Sequence, residues 1–147
     1  MIFDLQHPVV VFWLCMAMHL IADYTLQGCL ADLKTRQWWK IMVDTLEAEN
    51  PDWSYEKKHQ VRKMYLNDYM AGLICHSLMW SILAFLPLLL ITTPGMVTYA
   101  IIVNTFTHMV IDHMKANMHI INLRDDQFGH LIQILSTVVV GALYGIR

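Results

Sequence analysis

The chain has 147 residues, of which 56% are hydrophobic and 15% charged, with a mean hydropathy of +0.42. That is more apolar surface than one small soluble core would bury, so a bilayer is the expected sink. The net charge of −2, with the basic residues offset by acids in the same loop, argues against a nucleic-acid patch. Cys15, Cys29 and Cys75 are odd in number and lack CxxC spacing, which argues against a disulfide framework or a thiolate metal site.

Crossing the hydrocarbon layer takes roughly 20 mostly apolar residues, and four runs qualify. The first spans about Pro8–Gln27 and is interrupted by Asp23 near its end. It has no basic stretch before it and no small-residue cleavage site after it, so it reads as a retained span. Residues 28–68 form a long loop. The opening of this loop, Leu30 to Leu46, has helical apolar spacing, and Trp38-Trp39 beside Lys34, Arg36 and Lys40 resemble a segment lying at lipid headgroups. Asn50-Pro51-Asp52 signals a turn. Ser54 to Tyr65 predicts a solvated helix with Ser54 as N-cap.

The second span covers about Tyr69–Ile91, and Thr92-Thr93-Pro94-Gly95 is a short exterior turn. The third covers about Met96–Lys115 and the fourth about Gln127–Ile146. The expectation is one all-α membrane domain over 1–147, a four-helix transmembrane bundle with a helical cytoplasmic loop between spans one and two. A soluble all-helical domain with buried helices is the competing reading.

All of the ten Lys and Arg except Arg147 fall in the first loop or beside the connection between spans three and four. The positive-inside rule makes that side cytoplasmic, with both termini outside.

Each apolar run carries a histidine. Three of these lie four residues from an aspartate, as His19/Asp23, His108/Asp112 and Asp126/His130, while His76 stands alone in the second span. Residues four apart share a helix face, and all seven fall toward the cytoplasmic side. Ionisable groups in lipid are costly and functional by default. Bundles build metal sites from carboxylates and histidines on facing helices, so His19, Asp23, His76, His108, Asp112, Asp126 and His130 are candidate ligands. Asp23, Asp112 and Asp126 double as candidates for a catalytic base. Nitrogen and oxygen donors suit zinc first, or manganese or iron, as one or two ions. Interhelical ion pairs that hold a bundle together would leave the same pattern. Gln27, Asn104 and Gln133 extend the stripes and are expected to orient the histidines. Asp68 and Cys15 are weaker additions, and His7, His59, His113 and His119 read as surface residues.

The motifs His19-Leu-Ile-Ala-Asp23-Tyr-Thr-Leu-Gln27, isolated His76, His108-Met-Val-Ile-Asp112-His-Met-Lys115 and Asp126-Gln127-Phe-Gly-His130 resemble those of a bacterial and phage membrane family, the domain of unknown function 3307 family. The similarity covers the four spans but not the charged part of the first loop. A more distant similarity is to SOS-regulated membrane-bound metal-dependent hydrolases. The resemblance implies a metal-site membrane protein, and hydrolysis only by analogy.

Site and depth together give the expected function, a membrane-embedded metal-dependent hydrolase acting on an ester or phosphoester near the cytoplasmic leaflet. Its expected partners are the bilayer and a lipid-like or phosphoester substrate, with a homo-oligomer or membrane partner left open. The alternative is a non-enzymatic membrane protein, either a metal or proton carrier or an envelope factor acting through a partner. The apolar outer halves of the spans disfavour a carrier's continuous polar path.

Overall fold

A computed structural model describes residues 4–144. Arg147 and the end of the expected fourth span, 145–146, lie outside the described residues. Among the described residues every regular element is helical.

Helix α1, Pro8–Leu20, starts with proline at its first position, and His7 Nδ1 accepts the Val9 N–H at 3.3 Å. Proline is favoured there because its missing N–H would have no intrahelical partner anyway. At Ile21 the helix widens into a π-helical turn, Ile21–Leu26, which contains Asp23. Such turns cluster at functional sites because they re-aim side chains within a continuous helix. Gly28 follows at φ +46°, a left-handed conformation that glycine adopts without a Cβ penalty, and leads into the short helix α2, Leu30–Leu33.

The helix expected over Leu30–Leu46 is broken. Thr35 is extended and its Oγ1 accepts the Trp38 N–H at 3.2 Å, starting α3, Arg36–Glu49. A threonine that caps a new helix cannot also continue the old one. Helix α4, Tyr55–Tyr65, begins with Ser54 Oγ accepting the Lys57 N–H at 3.2 Å. α3 and α4 form a hairpin around buried Val43 and Val61, with Trp39 stacked on Tyr65 at 5.8 Å. Arg62 forks onto Glu47 at 2.6 and 2.8 Å and holds that carboxyl below its usual range.

α5, Asp68–Phe85, tightens into a 3₁₀ stretch, Leu86–Leu90, where Pro87 enters. Proline removes a backbone donor and crowds the preceding turn. α6, Pro94–Ala116, is capped by Thr93, and α7, Leu123–Tyr144, closes the described chain.

Four helical stretches are long and apolar enough to cross a membrane: Pro8–Leu26, Tyr55–Leu90, Pro94–Ala116 and Leu123–Tyr144. α1 packs on α5 and α7, and α6 packs on the same two helices, so the four form a ring. One end of the bundle is filled by an apolar cluster that includes Val11, Cys15, Phe85, Leu88, Val97 and Val138. Cys15 therefore belongs to the apolar packing. Trp13, Ile82, Phe106, Val139 and Leu143 face outward and are exposed, whereas the buried set includes four histidines and three aspartates. This is the reverse of a soluble protein's usual distribution.

α2 lies on α5 at Gly72. A Cβ at that position would stand 2.5 Å from the Leu33 carbonyl oxygen, so the two backbones approach as closely as only glycine permits.

Candidate metal centre

The polar cluster sits at the opposite end from the apolar one. The chain delivers it from the last turn of α1 and its π-helical extension (His19, Asp23), from the first half of α5 (His76), from the last turns of α6 (His108, Asp112) and from the first turns of α7 (Asp126, His130). Successive helices run in opposite directions, which is why late residues of one meet early residues of the next.

Two overlapping groups bring ligand atoms within 4.8 Å of one another: Asp23, His76 and His108, and His108, Asp112 and His130, all buried. His76 Nε2 lies 3.1 Å from Asp112 Oδ2, 3.2 Å from His108 Nε2 and 3.7 Å from Asp23 Oδ1. His130 Nε2 lies 3.7 Å from Asp112 Oδ1 and 3.5 Å from Asp126 Oδ1. Neither of these last two contacts is a hydrogen bond, and both His130 Nε2 and Asp126 Oδ1 are buried without a partner among the described residues. Unmade hydrogen bonds of this kind cost about 1–3 kcal/mol each. A divalent cation would use both atoms if the His130 imidazole is neutral with its proton on Nδ1, so the donor set fits a metal.

His19 and Asp126 fall outside both groups. Trp80 donates its indole N–H to His19 Nδ1 at 2.8 Å. Indole nitrogen only donates, so a neutral His19 must carry its proton on Nε2, which then donates to Gln127 Oε1 at 3.2 Å. Both of its nitrogens are thus engaged. Gln127 Nε2 in turn donates to Asp23 Oδ2 and Asp126 Oδ2, each at 3.2 Å. His19 and Gln127 therefore form a scaffold that holds two carboxylates in place.

The residues expected to orient the histidines do something else. Gln133 Nε2 donates to the Asn104 backbone carbonyl at 2.8 Å, and Asn104 Nδ2 donates to the Ala100 carbonyl at 2.8 Å and to Thr137 Oγ1 at 3.0 Å. They lie one helical turn deeper, where α6 and α7 meet, and their amide N–H groups are used there. Gln27 Nε2 donates to the Asp23 carbonyl. The Nδ1 atoms of His76, His108 and His130 have no hydrogen-bond partner. Aromatic packing orients two of these rings instead: His108 stacks on Trp80 at 4.1 Å and on His130 at 4.3 Å, and Trp80 and His130 are themselves 5.3 Å apart, so the three rings form a triangle.

Asp68 is half-buried and joins neither group. His7 caps α1, exposed His59 stacks on Tyr55, and half-buried His113 stacks on Tyr69.

Sequence reasoning missed two lysines. Lys34, assigned from its neighbours to the headgroup layer, turns into the cluster. Its ammonium donates to Asp112 Oδ2 at 2.6 Å, His76 Nε2 at 3.1 Å and Gln27 Oε1 at 3.4 Å. Lys115 donates to Asp126 Oδ2 at 2.6 Å. Lys115 carried a signal, because it lies within the third motif, whereas nothing local marks Lys34. Trp80, four residues after His76 on the same face, could also have been found by spacing.

Fold and site together define an all-helical bundle, with four helices apolar enough to span a bilayer, around buried His/Asp groups able to hold a metal ion. No family model matches this chain, and neither a curated protein nor a solved structure does.

Proposed function

We propose that the four apolar helices span a bilayer and that the His/Asp cluster holds one or two divalent ions, zinc by preference, at the cytoplasmic end. The protein acts there as a metal-dependent hydrolase on an ester or phosphoester. The observation that carries this reading is the pair of buried atoms His130 Nε2 and Asp126 Oδ1, 3.5 Å apart and neither of them hydrogen-bonded, beside the converging Nε2 atoms of His76 and His108. The outward apolar faces support insertion. Orientation is supported by the first loop, the last turn of α6 and the first turn of α7, which together carry every described Lys and Arg at the same end as the cluster. The motif resemblance to the domain of unknown function 3307 family fits the same reading.

A bound divalent ion would act as a Lewis acid and lower the pKa of a coordinated water toward neutrality. The ligand set is His76, His108, His130, Asp23 and Asp112. Asp126 completes it from the His130 side. Asp23 retains the most solvent contact of the three carboxylates and is placed to accept a proton. His19 and Gln127 orient Asp23 and Asp126 without binding the ion.

The test is elemental analysis of detergent-purified protein beside a His108→Ala variant that still folds, followed by turnover against phosphate and carboxylic esters. Stoichiometric zinc that disappears in the variant is expected. Equal metal in both would end the metal reading, and metal without turnover on any ester would end the hydrolase reading.

A further inference from the structure

Two ammonium groups enter this cluster from different elements. Lys34 comes from the end of α2 and pairs with Asp112, and Lys115 comes from the end of α6 and pairs with Asp126, each at 2.6 Å. Asp112 and Asp126 both flank His130 Nε2, so the two lysines approach one histidine from its two carboxylate neighbours. Lys34 is held in place along its backbone. Its carbonyl accepts from Asn117 Nδ2 at 3.0 Å, the preceding Leu33 carbonyl accepts from Trp39 Nε1 at 2.8 Å, and Gly72 lets α2 sit directly on α5. Its side chain keeps 12% exposure and that of Lys115 33%, so both ammonium-bearing side chains retain some contact with the surroundings.

Charge decides what that molecule is. Three carboxylates outweigh a single divalent ion, and a site built of these alone would repel an anion. The two ammonium groups reverse the balance. With one divalent ion held by the cluster, the three carboxylates and two ammonium groups would leave the site with a net positive charge. A carboxylate would meet that arrangement with two oxygens and one charge. A phosphoryl group brings three non-bridging oxygens and up to two charges, and charge-assisted contacts to such oxygens are the strong kind.

Building on the metal reading above, we propose that Lys34 and Lys115 are the anion-recognition elements of the centre and that its substrate class is a phosphoryl compound. That phosphoryl group belongs either to a lipid headgroup or to a soluble phosphate.

The test loads detergent-purified protein with zinc and titrates inorganic phosphate by calorimetry, with acetate as control. Lys34→Met and Lys115→Met are each expected to weaken phosphate at least about tenfold with zinc content unchanged, and Lys34→Arg to stay close to the parent. In nanodiscs, competition of phosphatidic acid with inorganic phosphate, absent with phosphatidylcholine, would assign the group to a lipid. Its absence would assign it to a soluble compound. Phosphate affinity equal in parent and both methionine variants, acetate binding as tightly as phosphate, or Lys34→Met that tightens zinc and leaves phosphate untouched would overturn the proposal. Zinc bound without phosphate defeats this inference alone, whereas a parent protein that takes up no zinc defeats the metal reading and this inference with it.

Discussion

Trp80 stacks face to face on His108, with ring centroids 4.1 Å apart and planes within 20°, while its indole N–H holds His19 Nδ1. One fully buried side chain of α5 thus orients a candidate ligand on α6 by dispersion and a scaffold histidine on α1 by a hydrogen bond. The two contributions can be separated. Trp80→Phe keeps a stacking ring and loses the donor, and about tenfold weaker zinc binding is expected. Trp80→Ala loses both and leaves a cavity worth about 3–5 kcal/mol. Zinc titration and thermal unfolding in detergent measure the two losses.

His108 and His19 should behave differently although both are buried and four residues from an aspartate. His108 belongs to both ligand groups, and His108→Ala is expected to abolish zinc retention. His19→Gln preserves polar contact to Trp80 and Gln127 and is expected to keep at least half of the zinc, because no lone pair of His19 faces the cluster. Loss of zinc in both variants would show that His19 is itself a ligand.

Gly72→Ala inserts a methyl group where the Leu33 carbonyl already lies. Backbone cannot yield as a flexible side chain can, so α2 must lift. A loss of about 1–3 kcal/mol is expected, seen as a lower unfolding temperature. Faster amide exchange confined to residues 30–35 would accompany it. An unchanged exchange pattern there would contradict the close contact.

The α3–α4 hairpin carries a pH dependence. Glu47 is held below its usual range by Arg62, so its pairing contributes fully above the unfolded carboxyl value near pH 4.3 and is lost as pH falls through the depressed folded value. Arg62→Ala should move the Glu47 titration upward. Carboxyl NMR reads that shift, and no shift would show that the fork is not populated in solution.

The approximate places of the four apolar runs were legible in the sequence, because helix periodicity and apolar content are local properties. So was the grouping of His76, His108, Asp112 and His130 at one end. The spacing of four fixes a shared face, and alternating chain direction fixes the depth. The break at Thr35 was less visible, since its hydroxyl competes with an otherwise continuous helical pattern and the outcome depends on what α2 and α3 pack against.

The sequence by itself determined that an apolar, all-helical chain would bring imidazoles and carboxylates to one level, because 3.6 residues per turn operates without regard to distant neighbours. Only the tertiary structure decided that Lys34 enters the cluster across 78 residues to reach Asp112, that Trp80 occupies His19, and that Gln133 donates to the Asn104 carbonyl and not to a histidine. Those outcomes depend on which backbone surfaces approach closely, as at Gly72, and on which buried donors find acceptors first. No local spacing encodes either.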